Sequence, residues 1–220
     1  MGMYILLFSV ILKIRFVEGG SHIDFGLYLF CGMIPWLSFQ ESLTKCTQVI
    51  LNYRHMILHI RFPLGFLPLH IAVSALVQEL IALFLFIGFV SQYQGISFDH
   101  LLYALLIIPI KFFFTCGINF FLAPISVFYR DIVQLVQILM VGWFFLSPIV
   151  YPLSKVPESY LAIYELNPFV PIIKAYRFAI LAQGTWNWGE FFYILFLSML
   201  IFAVGRIYFQ RYQNRFAGYL

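Results

Sequence analysis

Two stretches of this chain, residues 65–90 and 98–123, run apolar for about twenty-five positions each, and beyond their opening turns each carries one charged residue, Glu79 and Lys111. A helix of that length has no polar face to turn towards water, whereas a bilayer needs about 20 apolar residues to span about 30 Å of hydrocarbon. The same pattern, less cleanly, covers most of the rest. Of 220 residues, 63% are apolar and 10% charged, too little polar surface for a water-soluble domain of this size. The fold expected is therefore all-α: a polytopic transmembrane helical bundle, with little left over for a soluble domain.

Polar breaks divide the chain into six expected spans. The first, residues 1–12, is short before Lys13, and the reading is that a longer segment once preceded it, a truncated first span. A signal peptide competes, but no basic stretch leads the run and no small-x-small cleavage site follows it. The second span covers 25–45, the third 65–90, the fourth 98–123, the fifth reaches Val150 and the sixth covers 189–209. Between the second and third, residues 48–63 place Asn52, Arg54, His55, His59 and Arg61 among apolar residues at roughly helical spacing, the pattern of an amphipathic helix at the interface. Residues 151–188 contain Pro152, Pro157, Pro168 and Pro171 and two apolar pieces too short to cross. Such segments form re-entrant or interfacial hairpins, whose backbone is tolerated at membrane depth only against protein or a watery cavity.

Basic residues orient the bundle. With residues 48–63, the Arg130 loop and the C-terminal tail on one side, that side holds Lys45, Arg54, Arg61, Arg130, Arg206, Arg211 and Arg215, against Lys13, Arg15, Lys155, Lys174 and Arg177 on the other. The richer side is taken as cytoplasmic. The net charge of +4 reflects this topology and gives no reason to expect nucleic acid as a partner. Trp36, Trp143, Trp186 and Trp188 lie near span ends or in the hairpin, where some would anchor to the interface.

Few residues suggest chemistry. No Gly-x-x-x-x-Gly-Lys-Ser/Thr loop is present, so any ATP must be bound by a partner. His55 and His59 share a helix face, as metal ligands would, but lack a neighbouring acid or cysteine and read better as interfacial residues. Cys31, Cys46 and Cys116 are isolated and read as buried apolar residues. Glu41 and Lys45 form a favourable i,i+4 pair. Glu79 and Lys111 each lie about thirteen residues from a span end in helices joined by a short loop, so they fall at one depth and are expected to pair. A proton or ion relay is the alternative, without further acids or histidines to extend it. Tyr151, Tyr160, Tyr164 and Tyr176 in the hairpin are either packing residues or a stacking track for sugar rings.

Residues 128–132 (Phe-Tyr-Arg-Asp-Ile), then 142–152 (Gly-Trp-Phe-Phe-Leu-Ser-Pro-Ile-Val-Tyr-Pro), Val156-Pro157, Leu166-Asn167-Pro168-Phe169 and Ala175-Tyr176-Arg177 resemble, in order and spacing, the membrane subunits of type-2 ABC exporters. The likeness is strongest to polysaccharide permeases for O-antigen, capsule or teichoic acid, with Arg61-Phe62-Pro63 and Leu67-Pro68 a weaker match. The resemblance implies a homodimer in the bacterial cytoplasmic membrane, two copies of a separate ABC ATPase that binds ATP and magnesium, and a lipid-linked glycan substrate carried between the permease copies. It implies that Asn52 to Arg61 form a coupling helix on the ATPase, that Tyr129, Arg130 and Asp131 lie at the cytoplasmic entrance, and that 151–188, with Tyr151, Tyr160, Tyr164, Tyr176 and Arg177, forms a gate on the far side. Members usually begin with a basic amphipathic helix before the first span, again implying a longer start. The chain is then a transport subunit, not an enzyme; the rival readings are a drug or small-lipid exporter of the same superfamily and a membrane-embedded transferase.

Overall fold

The computed structural model describes residues 22–59, 63–93, 95, 98–129, 131–151, 159, 164–213 and 216. The expected first span, 1–12, and much of the hairpin, 152–158 and 160–163, lie outside the described residues. Among the described residues every regular element is helical: α1 (His22–Asn52), α2 (Arg54–His59), α3 (Phe66–Tyr93), α4 (Phe98–Phe128), α5 (Ile132–Phe145), α6 (Phe169–Leu181) and α7 (Trp188–Tyr212).

Among them α3, α4 and α7 are long and apolar enough to cross a bilayer. Their outward faces carry exposed Phe84, Leu85, Leu102, Leu105, Phe196 and Ile207, a surface only lipid or another apolar surface suits. α1 is longer than its expected span; at 1.5 Å per residue its 31 residues reach about 46 Å. It lies inside the bundle against α3, α4, α5 and α6. Trp36, placed by sequence among possible interface anchors, is instead a core residue of α1, edge-on to Phe169 at 4.9 Å. Trp188, 53% exposed, suits the interface.

Several boundaries moved, α4 among them, which runs to Phe128 instead of 123, and three have a clear local reason. The interfacial helix expected over 48–63 starts later: residues 48–52 complete α1 because Val49 and Ile50 are buried in the cluster of Leu67, Phe120, Val127 and Phe209, and only Arg54–His59 forms a separate turn of helix. Residues 60–62 lie outside the described residues. The fifth helix stops at Phe145, not Val150, and turns replace its last part. Pro148 has no N–H to continue the ladder, and the Leu146 carbonyl is taken by the Asn167 side chain. The loop expected from Ser91 is shorter, since α3 runs to Tyr93 before Gly95 turns the chain at φ +74°.

α4 and α7 meet backbone to backbone. A Cβ on Gly117 would fall 2.6 Å from Phe202 N, and one on Gly205 2.4 Å from the Gly117 carbonyl oxygen. Where lipid is as apolar as a leucine side chain, helices gain by packing closely, and small residues permit it.

α6 is the exception to the outward-facing pattern. It is 13 residues long and buried on nearly every side, with Phe169, Val170, Ile172, Ile173, Tyr176, Arg177 and Ile180 all in the interior. About 20 Å of helix cannot cross a bilayer, and α6 is enclosed by α1, α4 and α7.

Candidate functional site

α6 brings two polar centres into the bundle from adjacent residues, Tyr176 and Arg177. At the first, Lys111 of α4 lies with Nζ 2.5 Å from Oε2 of Glu79 on α3, and both are almost fully buried. Lys111 also donates to Ser38 Oγ on α1, Ser38 donates to Glu79 Oε2 at 2.7 Å, and Tyr176 donates to Glu79 Oε1 at 2.5 Å. Four helices thus meet at one ion pair, and both carboxylate oxygens of Glu79 are engaged. In a medium of low dielectric this is what makes a buried pair tolerable, because an unsatisfied lone pair or proton there costs several kcal/mol. A seam of neutral polar groups continues along α1 and α4: Asn119 Nδ2 donates to Ser42 Oγ at 2.9 Å, and Cys46 Sγ donates to the Asn119 carbonyl at 3.4 Å. None of these groups is an acid or histidine that would pass a proton onward.

The second centre holds α6 against the end of α5. Arg177 Nη1 donates to the Pro148 carbonyl and Nη2 to the Ile149 carbonyl, both at 2.9 Å, while its Cζ sits 3.4 Å from the centre of the Tyr28 ring on α1. Nε has no partner. Ten residues earlier, just before α6 begins, Asn167 makes four bonds: its Oδ1 accepts from Trp143 Nε1 and Phe169 N, and its Nδ2 donates to the Leu146 carbonyl and Ser147 Oγ. The carbonyls freed where α5 ends are therefore satisfied from α6, which is why an irregular turn survives inside an apolar bundle. Gly32 on α1 leaves room for the guanidinium, since a Cβ there would lie 3.1 Å from Arg177 Nη2.

Two further hairpin tyrosines, Tyr151 and Tyr164, are close to this corner. Tyr151 Oη donates to the Phe145 carbonyl and accepts from Tyr164 Oη, each at 2.6 Å. Tyr176 is fully buried, so its ring offers no stacking face within the subunit; its hydroxyl belongs to the ion pair. Tyr160 lies outside the described residues.

The other expected site residues lie on other elements. Asn52, Arg54 and His55 are exposed at the turn between α1 and α2, and His59 ends α2. Tyr129 is 70% exposed, and Asp131 caps the start of α5 without a side-chain bond. Arg61 and Arg130 lie outside the described residues. Among the described residues no group of histidines, cysteines and acids is gathered that would hold a metal ion. Sequence reasoning missed Ser38, Asn167 and Gly32; Asn167 stood within a quoted motif, but its four bonds link residues up to 24 positions apart.

A bundle of long lipid-facing helices around a short buried helix, tied in by an ion pair and a capped corner, defines a multi-pass helical membrane protein. The model of the ABC-2 type transporter family matches residues 1–181, and the chain belongs to that family. It is 28% identical over 176 residues to an O-antigen export system permease protein of Myxococcus xanthus, covering 79% of this chain and 65% of that protein. A protein of the same description from Klebsiella pneumoniae is 25% identical over 216 residues, covering 97% of this chain and 80% of its own. The chain thus spans just under two thirds of the first relative and four fifths of the second.

Proposed function

We propose that this chain is the permease subunit of an ATP-driven exporter that moves lipid-linked polysaccharide, of the O-antigen, capsule or teichoic acid kind, across the bacterial cytoplasmic membrane. The observation that carries the reading is the similarity to O-antigen export permeases along 97% of the chain. The α5–α6 corner supports it, because Trp143, Ser147, Pro148, Asn167 and Arg177, which build the corner, lie within the motifs that resemble those permeases.

In this reading the chain is one transport domain of six spans, counting residues 1–12, α1 and the short α5 with the turn that follows it to Val150, with 151–188 as a re-entrant gate. Two copies form the pathway, and two copies of a separate ATPase bind ATP and magnesium. The exposed turn at Asn52, Arg54 and His55 transmits the ATPase stroke, and Tyr129 and Asp131 stand at the cytoplasmic entrance. The Glu79–Lys111 pair is structural.

Deleting the gene tests the reading directly. Undecaprenyl-linked glycan is expected to accumulate inside the cells and surface polysaccharide to fall; normal surface polysaccharide together with a changed drug tolerance would assign the chain to the small-molecule exporters instead.

A further inference from the structure

A cavity of about 300 Å³ opens at the end of the bundle where α6 gives way to α7. Tyr28, Lys174, Arg177, Gln183, Thr185 and Glu190 line it. Its charges do not cancel. Lys174 Nζ is 2.7 Å from Glu190 Oε1, which balances one cation. Arg177 has no carboxylate within ion-pair distance among the described residues; its acceptors are two neutral carbonyls, which use two of its five N–H groups. Counting the described residues, the wall therefore carries one full positive charge on a side chain that is 6% exposed.

A buried cation of this kind is normally paired, because desolvation is costly and neutral dipoles compensate it only in part. Lys111, equally buried in the same bundle, has its carboxylate. Around the Arg177 wall stand neutral polar groups suited to oxygen-rich ligands, the Gln183 amide and the Thr185 hydroxyl, on a turn that Ala182 and Gly184 hold in left-handed conformations at φ +52° and +85°. Guanidinium with ammonium is the side-chain pair that recurs where phosphate is recognised.

We propose that this cavity is a phosphate-binding site, in which Arg177 supplies the uncompensated charge, Lys174 shares its ammonium between Glu190 and the ligand, and Gln183 and Thr185 hydrogen-bond the remaining oxygens. The ligand is a phosphate group, borne by a lipid headgroup at the membrane face or free in solution. The inference is independent of the polysaccharide reading, because binding is measured without transport.

The test uses the full chain in detergent micelles, with short-chain phosphatidylglycerol as probe, diacylglycerol of equal chain length as the uncharged control, and native mass spectrometry as the readout. Phosphatidylglycerol is expected to be retained at least tenfold more tightly than diacylglycerol. Gln183→Glu, at an exposed position, gives Arg177 an internal counter-ion and is expected to abolish that preference at a melting temperature no lower than that of the parent chain. Glu190→Gln removes the competing acid and is expected to tighten binding severalfold. Displacement of the lipid by millimolar inorganic phosphate identifies a site open to free phosphate; retention of the lipid under that challenge identifies a headgroup site. Equal retention of the two lipids, or an unchanged preference in Gln183→Glu, overturns the proposal.

Discussion

Lys111 and Arg177 are the two deeply buried cations of this bundle among the described residues, and they are held in opposite ways. Lys111 is closed in: Glu79 and Ser38 hold its ammonium, Tyr176 holds the other oxygen of Glu79, and its charge is matched by a carboxylate. Arg177 is held by shape, with its planar guanidinium between two backbone carbonyls and the Tyr28 ring, and with a cavity beside it. The first arrangement is complete without a ligand. The second leaves charge over. A neutral capping network fixes where a cation sits, but only an anion removes its electrostatic cost, so a residue can be structurally satisfied and still be electrostatically open.

The comparison breaks most severely at the closed centre. Lys111→Met alone leaves Glu79 buried without a cation and is expected to cost about 3–5 kcal/mol, read as lost membrane levels and a lowered melting temperature of the purified chain. Glu79→Leu combined with Lys111→Met is expected to recover most of that loss, since no charge is then stranded. Complete loss of transport by the double variant at normal membrane levels would show that the pair works as more than a strut.

At the open centre the loss should be smaller, because water from the cavity can reach the freed carbonyls. Arg177→Met is expected to cost about 1.5–3 kcal/mol, with Arg177→Lys intermediate because an ammonium cannot span both carbonyls in the fork geometry of the guanidinium. Thermal unfolding of the two variants side by side measures the difference. If Arg177→Met proves as damaging as Lys111→Met, the distinction between closed and open centres fails.

Gly32→Ala sharpens the same point. Its Cβ would press on Nη2 at 3.1 Å while the two carbonyls keep the guanidinium in place, so a loss of about 1 kcal/mol is expected. The smallest effect belongs to the exposed pair, Lys45 Nζ to Glu41 Oε1 at 2.5 Å, where Lys45→Ala should cost about 0.3–0.5 kcal/mol and be masked by salt. Urea or thermal scans at low and high ionic strength resolve it.

The pairing of Glu79 with Lys111 could be anticipated because two charges at equal depth in neighbouring helices have little else to pair with. Ser38 and Tyr176 could not, since serines and tyrosines are common in such chains and nothing in their spacing links positions 41 and 97 residues from Glu79. Tyr176 shows the limit well: its place in the proline-rich segment allowed a sugar-stacking role, and packing instead turned its hydroxyl to a carboxylate and closed its ring in the core. The Gly117–Gly205 contact was equally hidden, because glycines in apolar helices mark a close approach only once the partner helix is known.

By itself, the amino-acid sequence determined that this chain is helical and belongs in a membrane, because long apolar runs leave backbone groups no partner but the helix and side chains no solvent but lipid. It also determined that residues 151–188 hold no piece long enough to cross. Only the tertiary structure decided that α6 lies inside the bundle, that one of its adjacent polar residues closes an ion pair, and that the other faces a cavity with no carboxylate beside it among the described residues. Those outcomes depend on which helices meet and at what height, and pairwise geometry between distant segments leaves no periodic trace along the chain.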